Sequence, residues 1–576
     1  MLASAGDRTT WQTQPCDPAR AQELAEALGI GPLTAQLLIN RRVVAPEEAR
    51  RFLEPRLSDL RPPADPRWPM AGFDRAVERI AAALGRGETI GIFGDYDVDG
   101  VTTAALLGHF LREVGGKVVV RAARRDAGYG FGPESAEEFA AAGCALVITC
   151  DCGTSDHEGL GRARELGSDT IVVDHHQAPE GDPGAYALIN PHQPACCFPF
   201  KGMASVGVGF YLAAAVRTRW CANGRDAPDP RGLLDLVAVG TVADLVPLTE
   251  ENRILVAAGL RELERGRRPG LRALAEVAGL WSGGRYLRPP TTVDIGFKFG
   301  PLLNAPGRLG DAQQALDLLL AGEATASAQA QRCGELNVRR RELQEQVAVA
   351  AFAQAETVSG SHSTVVAGEG WPAGVVGIVA AKLVERFHRP SLVIAWDGAV
   401  GRGSARTPPG IDLHRALTVC RSHLVRFGGH AMAAGITIDR EAIEPFRRAF
   451  DDAVEQQGSE ALGQRSLLVD AEVQLEQLTE RQVEELHRLA PFGNGNPEPL
   501  LGARGLAVAE TRVVGQHHLQ LSFYSGSERR NGIAFGFADR NPGVGARVGA
   551  AFVPEIDLFR GTRRLRLRVR ELVAEG

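Results

Sequence analysis

The chain has 576 residues, 44% hydrophobic and 23% charged, which points to a globular protein of several domains and excludes disordered, collagen-like and disulfide-stapled chains. A formal net charge of -6 excludes a molecule-wide attraction for polyanions, so any nucleic-acid site must be local. Apolar runs fall well short of the ~20 residues of a membrane span, and the N-terminus lacks the apolar core of a signal peptide, so no membrane partner is expected and the cytoplasm is the expected address.

Residues 1–65 read as short helices (AQELAEAL, LTAQLLINRR, APEEARRFLE), closed by the Pro-rich boundary RPPADPRWP. Residues 66–265 form a first α/β domain. Within it, helix FDRAVERIAAALGRG, strand TIGIF, helix TTAALLGHFLREVG, strand KVVVRA, helix PESAEEFAAAG, strand ALVITC, helix HEGLGRARELG and strand TIVVD alternate in order. That alternation predicts a mostly parallel sheet with crossover helices, and residues 231–265 continue as helix. Residues 266–357 act as a helical connector, because the nearly Gly-free stretch 312–357 predicts one or two helices spanning tens of ångströms. A second, smaller α/β domain covers 358–455 (strand STVVAG, helix GVVGIVAAKLVERF, strand SLVIAW, helix DLHRALTVCRSHLV, strand AGITI). Residues 456–576 are β-rich after one helix, LTERQVEELHRLA, with alternating strands HLQLSFY and TRRLRLRVREL.

The strand TIGIF runs into Gly94-Asp95-Tyr96-Asp97-Val98-Asp99-Gly100, three carboxylates within five residues. Like charges this close repel unless a cation lies among them. The next strand ends in Asp151 and the one after in Asp174-His175-His176. In a parallel sheet the carboxyl ends of strands line one crevice, so these groups converge there. Carboxylates with one imidazole form a hard-oxygen site that suits Mg²⁺ or Mn²⁺ better than zinc or calcium. Two such ions, about 3.5 to 4 Å apart, would serve phosphodiester hydrolysis. Asp244, in LVAVGTVADLVPLTEENR, reads either as a further ligand or as a helix-ending cap. The nine cysteines are an odd, scattered set that fits reduced thiols, and Cys150 and Cys152 read as packing residues beside Asp151.

In order and spacing, GDYDVDG, TCDCG, VDHHQ and GTVADLVPLTEENR resemble the four motifs of the DHH phosphoesterase superfamily. LLINRRVVAPEEARRFLEP, INPHQPACCFPFKGMASVGVGF, NAPGRLGDA, GWPAGVVGIVAAKL, GSARTPPGIDLH, GGHAMAAG and APFGNGNPEP extend the likeness to the RecJ family over nearly the whole chain. The resemblance implies a parallel-sheet DHH catalytic domain, a long helical connector, a DHHA1 substrate-binding domain and a C-terminal β-barrel of OB-fold type. It implies metal ligands Asp95, Asp97, Asp99, Asp151, His175 and Asp244, with His176 facing the scissile phosphate. For substrate it implies Arg308, Ser404, Arg406, Gly429 and His430, with Ser404 and Arg406 clasping a 5′-phosphate and Arg124 a weaker contributor. Two positions depart from the family pattern: Pro372 stands where a His is usual and Leu302 where an Arg is usual.

Other readings of the same residues remain. The chain has 60 arginines and 4 lysines, so Arg308 and Arg406 taken alone read as surface arginines. The glycines of GGHAMAAG serve either close packing or backbone approach to a ligand. Over 501–576 there are 12 arginines against 7 acids, and Arg564, Arg566, Arg568 and Arg570 alternate along one strand. They form either a solvated face or a track for single-stranded DNA, with Phe523, Tyr524, Phe535 or Phe559 for base stacking.

The function implied is a metal-dependent exonuclease that degrades single-stranded DNA from the 5′ end to mononucleotides, through a path between the lobes too narrow for a duplex, in recombination and repair. A DHH phosphoesterase acting on short oligonucleotides or nucleoside bisphosphates, and an inactive single-strand-binding scaffold, are the rivals. A DHH pyrophosphatase is disfavoured by the extra domains. Single-strand-binding protein and a helicase are implied partners, and a monomer is the default.

Overall fold

The structure, a computed structural model, describes residues 10–125, 128, 130–179, 181–357, 361–458, 466–526, 528–559 and 562–575. The chain divides into two compact units, one of residues 61–246 and 258–463, the other of residues 1–60, 247–257 and 464–576.

The larger unit begins with five parallel strands, β1 (Thr89–Gly94), β2 (Lys117–Ala122), β3 (Cys144–Cys150), β4 (Asp169–Val173) and β5 (Ala187–Ile189), ordered β2-β1-β3-β4-β5. Ile90, Ile92, Leu146, Ile148, Ile171 and Val173 are fully buried, as expected of a sheet covered on both faces. On one face Phe93, Phe131 and Phe139 pack together, and Gly91 is obligatory because a Cβ there would lie 2.5 Å from the Phe139 ring. The strand order reverses direction between β1 and β3, which opens a crevice at their carboxyl ends. Three helices pack on one another beside that crevice: α1 (Val98–Glu113), α2 (Ser205–Cys221) and α3 (Leu234–Ala243).

Beyond them come α4 (Gly300–Leu309), a short helix Gln313–Leu319, and α5 (Glu323–Glu356). The long helical stretch is therefore broken at Leu320–Gly322, and the 34 residues of α5 extend roughly 50 Å. Near its start α5 buries Ala326, Ala330 and Cys333. Near its end Val347, Ala348, Ala351 and Ala355 join a core with Val366, Val379 and Val393 of the second α/β lobe.

That lobe has strands β6 (Thr364–Glu369), β7 (Ser391–Asp397), β8 (Val400–Arg406), β9 (Arg426–Gly429) and β10 (Ala433–Asp439), ordered β9-β10-β8-β7-β6. Helix α6 (Ala373–Phe387) packs on β7 and β8. GSAR lies within a regular strand, an element that Gly401 and Gly403 hide from a propensity reading. The segment DLHRALTVCRSHLV forms a helix only over Leu413–Val419, followed by a 3₁₀ turn.

In the smaller unit β11 (Leu501–Val514), β12 (His518–Ser525), β13 (Glu528–Ala534), β14 (Arg547–Phe559) and β15 (Thr562–Ala574) close a barrel in the order β11-β12-β13-β15-β14-β11, the OB-fold arrangement. Its core of Leu506, Leu519, Leu521, Phe523, Phe552 and Leu567 is continuous with Leu24, Leu37, Leu38 and Leu53 of the N-terminal helices. The strand Thr10–Thr13 pairs in parallel with Ser466–Val469, and the Trp11 ring fills the space over Gly502. Arg253, buried in this unit, donates to the carbonyls of Phe52, Leu489 and Ala490 and lies 3.7 Å over the Phe52 ring; burial pulls its pKa down to about 9.

The barrel corrects one stacking candidate and shows how the arginine row is paired. Phe523 is part of the core and cannot stack on a base, because its strand turns that face inward. Arg566 pairs with Glu555 and Asp557, and Arg568 with Glu498 and Glu555, so acids from neighbouring segments neutralise much of the arginine row. Tyr524 and Phe535 are exposed, and the Phe559 side chain lies outside the described ones. Among the described residues no helix is long and apolar enough to cross a membrane.

Arg268 donates two hydrogen bonds to Asp235, of 2.9 and 3.0 Å, with both side chains buried. Arg268→Ala leaves a buried carboxylate unpaired and is expected to cost about 3–5 kcal/mol in denaturant unfolding, whereas the double replacement Asp235→Leu/Arg268→Met is expected to cost far less.

Candidate metal centre

One row of backbone hydrogen bonds places the acids. Gly94, Cys150, Val173 and Ile189 lie opposite one another across β1, β3, β4 and β5. The ladder runs one residue further: Asp95 N–H donates to Cys150 O, Asp151 N–H to Val173 O and Asp174 N–H to Ile189 O, at 2.9 to 3.0 Å. Three acids therefore leave adjacent strands side by side, followed in the last position by Asn190.

The loop after β1 is held by close backbone approach. A Cβ at Gly100 would lie 2.6 Å from the backbone of Asp95, and one at Gly94 would lie 2.6 Å from Gly100 O. Asp97 caps α1, its Oδ1 accepting from Gly100 N–H at 3.1 Å. Asp99 is buried, and its carboxylate accepts from Ser205 N–H (2.7 Å) and Val206 N–H (2.9 Å) at the start of α2. Ser205 Oγ also donates to Asp151 Oδ1 at 2.9 Å. Asp151 itself sits at φ 63, a left-handed conformation that costs roughly 1–2 kcal/mol in a non-Gly residue.

The two histidines have opposite electrostatics. Asp174, buried, accepts from the backbone N–H of His175 and His176, from Thr154 N–H, and from His176 Nδ1 at 2.7 Å. Burial alone would raise the Asp174 pKa, but these bonds and the His176 charge hold it well below the usual range. Burial likewise opposes charge on His176, but its bond to Asp174 and the nearby Asp244 and Asp97 push its pKa up to about 9. In His175, burial and the adjacent His176 charge lower the pKa to about 4, so the ring is neutral at pH 7. Its Nε2 lies 3.3 Å from Asp151 Oδ1, 3.5 Å from Asp244 Oδ2 and 4.0 Å from Asp99 Oδ2.

Two groups here could hold cations: Asp95, Asp97 and Asp151, and Asp99, His175 and Asp244. A third grouping adds His176 to Asp151 and His175. The remaining acids carry the cost of crowding. Burial and Asp97 raise Asp95 and Asp151 well above the carboxylate range, and Asp95 Oδ1 is buried with no hydrogen-bond partner. Burial and the neighbouring acids bring Asp99 to about 7 and Asp244 to about 9. Neutral imidazole nitrogen, converging carboxylates and an orphaned buried oxygen fit hard divalent ions.

The arginines assemble from α4, α6 and β8. Arg308, near the end of α4, is half-buried; its desolvation, with neighbouring Arg125, lowers its pKa to about 10, and Asp97 opposes the fall. Its Nη1 donates to Gly374 O at 3.1 Å. Ser404 and Arg406 lie on the face of β8 toward α6, with Arg406 Nη1 donating to Ser404 Oγ at 3.0 Å. Gly377 makes room for them, since a Cβ there would come within 2.9 Å of Ser404 Oγ. Across the sheet Ser404 is opposite Gly435 and Gly435 opposite Gly428, a bare backbone strip beside the serine.

Gly429 takes φ 134 in the β9–β10 turn, where a Cβ would meet Ala433 O at 2.5 Å, and exposed His430 donates its N–H to that same carbonyl. Arg124 is exposed and lines a cleft of about 1060 Å³ with Arg121, Glu134, Glu138 and Asp311. Of the departures, Leu302 is buried in α4 and Pro372 caps α6, so both serve local structure. Sequence reasoning missed Ser205, Asn190 and Thr154. Ser205 was legible as the first residue of a helix following Ala204, where free N–H groups attract carboxylates. Asn190 Nδ2 donates to Thr154 Oγ1 and His176 O, a partnership set only by strand pairing.

The chain matches the DHH family N-terminal domain over residues 89–241, the DHHA1 domain over 345–456 and the RecJ OB domain over 469–571. The single-stranded-DNA-specific exonuclease RecJ of Dickeya dadantii (strain 3937) is 37% identical, across 87% of this chain and 90% of that protein. Its namesake in Bacillus subtilis (strain 168) is 33% identical, across 99% of this chain and 71% of that protein. The crystal structure of RecJ in complex with Mn²⁺ from Thermus thermophilus is similar with a TM-score of 0.83 and 29% identity, covering 99% of this chain and 80% of that one. The Mg²⁺ complex of that protein gives a TM-score of 0.79 and 28% identity, over 99% and 79% of the two chains.

The raised carboxyls make stability depend on pH. Asp99 and Asp244 have folded pKa values above their ordinary 3.8, so the folded metal-free chain keeps protons that the unfolded chain has released. Their contribution is greatest at acid pH and is lost as pH rises toward about 9. Thermal unfolding of metal-free protein is expected to show a falling midpoint from about pH 6 to about pH 9, with Mn²⁺ removing most of the slope. A slope unchanged by Mn²⁺ would count against these acids as cation ligands.

Proposed function

The chain belongs to the RecJ family, and from that premise we propose that it is a metal-dependent exonuclease that degrades single-stranded DNA from the 5′ end, releasing mononucleotides in recombination and repair. The observation that carries the reading is a crowded cluster of buried and half-buried acids, Asp95, Asp97, Asp99, Asp151 and Asp244, placed beside an arginine, Arg308, that senses Asp97. Carboxylates call for cations and the arginines for a phosphate, and a phosphodiester that meets both the bound cations and the arginines fits the pair.

In this reading Asp95, Asp97 and Asp151 hold one Mn²⁺ or Mg²⁺ and Asp99, His175 and Asp244 the other. When bound, the two ions supply Lewis-acid stabilisation of the charge that builds on the phosphodiester. Asp174 keeps His176 protonated and fixes its Nδ1 edge, so His176 presents positive charge and an Nε2 proton to the scissile phosphate. Ser205 orients Asp151 through its hydroxyl and Asp99 through its backbone N–H. Arg308, Ser404 and Arg406 grip the terminal 5′-phosphate, and the glycine strip at Gly428 and Gly435 admits the backbone closely. Gly429 and His430 shape the turn beside that strip, and Arg124 borders the path from the adjoining cleft. Exposed Tyr524 and Phe535 offer stacking surfaces for bases on the barrel.

We divide the chain into a helical segment 1–65, DHH domain 66–265, connector 266–357, DHHA1 domain 358–455 and OB domain 456–576; the family matches support the three named domains, with the DHHA1 match starting at 345, inside the connector. We further propose that it works as a cytoplasmic monomer alongside single-strand-binding protein and a helicase, as the resemblance implies.

Digestion of a long single strand labelled at either end, with Mn²⁺ or Mg²⁺ and a duplex control, tests the reading. Labelled mononucleotide is expected at once from the 5′-labelled strand only, and none with Asp151→Ala. Cleavage confined to very short oligonucleotides would favour a small-substrate phosphoesterase, and binding without cleavage a scaffold. Arg406→Ala is expected to lower kcat/KM on a 5′-phosphorylated strand by roughly 10- to 100-fold, the worth of a charge-assisted hydrogen bond, with little change on a 5′-hydroxyl strand.

A further inference from the structure

Two consecutive arginines leave the end of β2, just past the point where Ala123 N–H donates to Gly94 O at 2.7 Å. Arg124 is exposed, whereas Arg125 is half-buried. The Arg125 guanidinium lies 3.9 Å from the centre of the Tyr96 ring, and its Nε donates to Gly307 O at 3.0 Å. Tyr96 stands between Asp95 and Asp97, and Gly307 immediately precedes Arg308. The two backbones also touch directly, since a Cβ at Gly307 would lie 2.5 Å from Tyr96 O. The acidic loop and the arginine-bearing end of α4 thus meet at one contact, with Arg125 closing it from the side.

We propose that Arg125 is a positioning residue that fixes the spacing between the Asp95–Asp97 loop and Arg308, acting through the Tyr96 ring and the Gly307 carbonyl. The inference rests on the reading of Asp95 and Asp97 as cation ligands and of Arg308 as a phosphate group's partner. Guanidinium chemistry suits this role, because a flat face covers the ring while a fixed N–H meets the carbonyl. A lysine ammonium can supply the charge but not both contacts at once. The charge matters in addition. Arg125 favours ionised Asp95 and disfavours ionised Arg308, so it belongs electrostatically to both halves of the site.

The test uses the full chain with Arg125→Leu, Arg125→Lys, Tyr96→Ala and the Arg125→Leu/Tyr96→Ala double variant. Mn²⁺ binding is followed by calorimetry, and kcat/KM is measured on a 5′-phosphorylated single strand. Arg125→Leu is expected to weaken Mn²⁺ binding and lower kcat/KM, each by roughly five- to thirtyfold, the scale of a partly buried cation–π contact plus a hydrogen bond. Arg125→Lys is expected to recover only part of the loss. The double variant is expected to cost little more than the worse single one, because both replacements break one contact. Losses that multiply in the double variant, or full recovery with lysine, would overturn the inference, as would wild-type Mn²⁺ affinity in Arg125→Leu. Should Arg125→Leu not fold, Arg125→Lys carries the same decision. If the wild type binds Mn²⁺ but degrades no DNA, the exonuclease reading fails while the Mn²⁺ arm still decides the role of Arg125.

Discussion

The row of backbone hydrogen bonds from Asp95 to Cys150, Asp151 to Val173 and Asp174 to Ile189 is the constraint on which the rest of the site depends. Main-chain pairing leaves these acids no freedom to move apart, and the side chains inherit that geometry. A slip of one residue in any strand would turn the acid into the sheet and an apolar neighbour into the crevice. The buried isoleucines and valines of β1, β3 and β4 prevent such a slip. Core packing thus holds the charges together against their mutual repulsion.

The protein resolves that repulsion differently for each acid, and the differences separate the roles. Asp174 is satisfied by three backbone N–H groups and a protonated imidazole, so it stays ionised and has little to offer a cation. Asp99 has the N–H groups that begin α2, a partial compensation. Asp95 and Asp244 have less, and burial with the neighbouring acids raises the pKa of both. Burial without compensation makes the site demand divalent cations, and the same burial keeps His175 neutral and able to donate its lone pair.

Arginine follows a parallel logic in a chain with 60 of them. On the barrel most of the arginine row is paired with acids, and there it stabilises cross-strand contacts. Arg125 and Arg308 instead bond backbone carbonyls beside the acidic cluster, which satisfies geometry without cancelling charge. An arginine held that way keeps its field for a phosphate or a neighbouring carboxylate. Pairing partners together with location separate the arginines of the site from those of the barrel row, and both are invisible to composition.

The sequence by itself determined the alternation of strands and helices, the acids at three strand ends and the order of the motifs, because these rest on local periodicity and adjacency in the chain. It also made Asp244 and Arg308 nameable through resemblance, although their local context read equally well as a cap and a surface arginine. Only the tertiary structure decided that Ser205 N–H and Oγ serve two different acids, that Asp174 orients His176, that Phe523 faces the core, and that Arg125 bridges Tyr96 and Gly307. The Ser205 and Arg125 contacts join residues far apart in the chain, the Phe523 orientation depends on which face of a strand is buried, and the Asp174–His176 bond, though local, depends on how the chain turns after its strand. Strand register and helix packing fix such relations globally, and no local pattern of residue types encodes them.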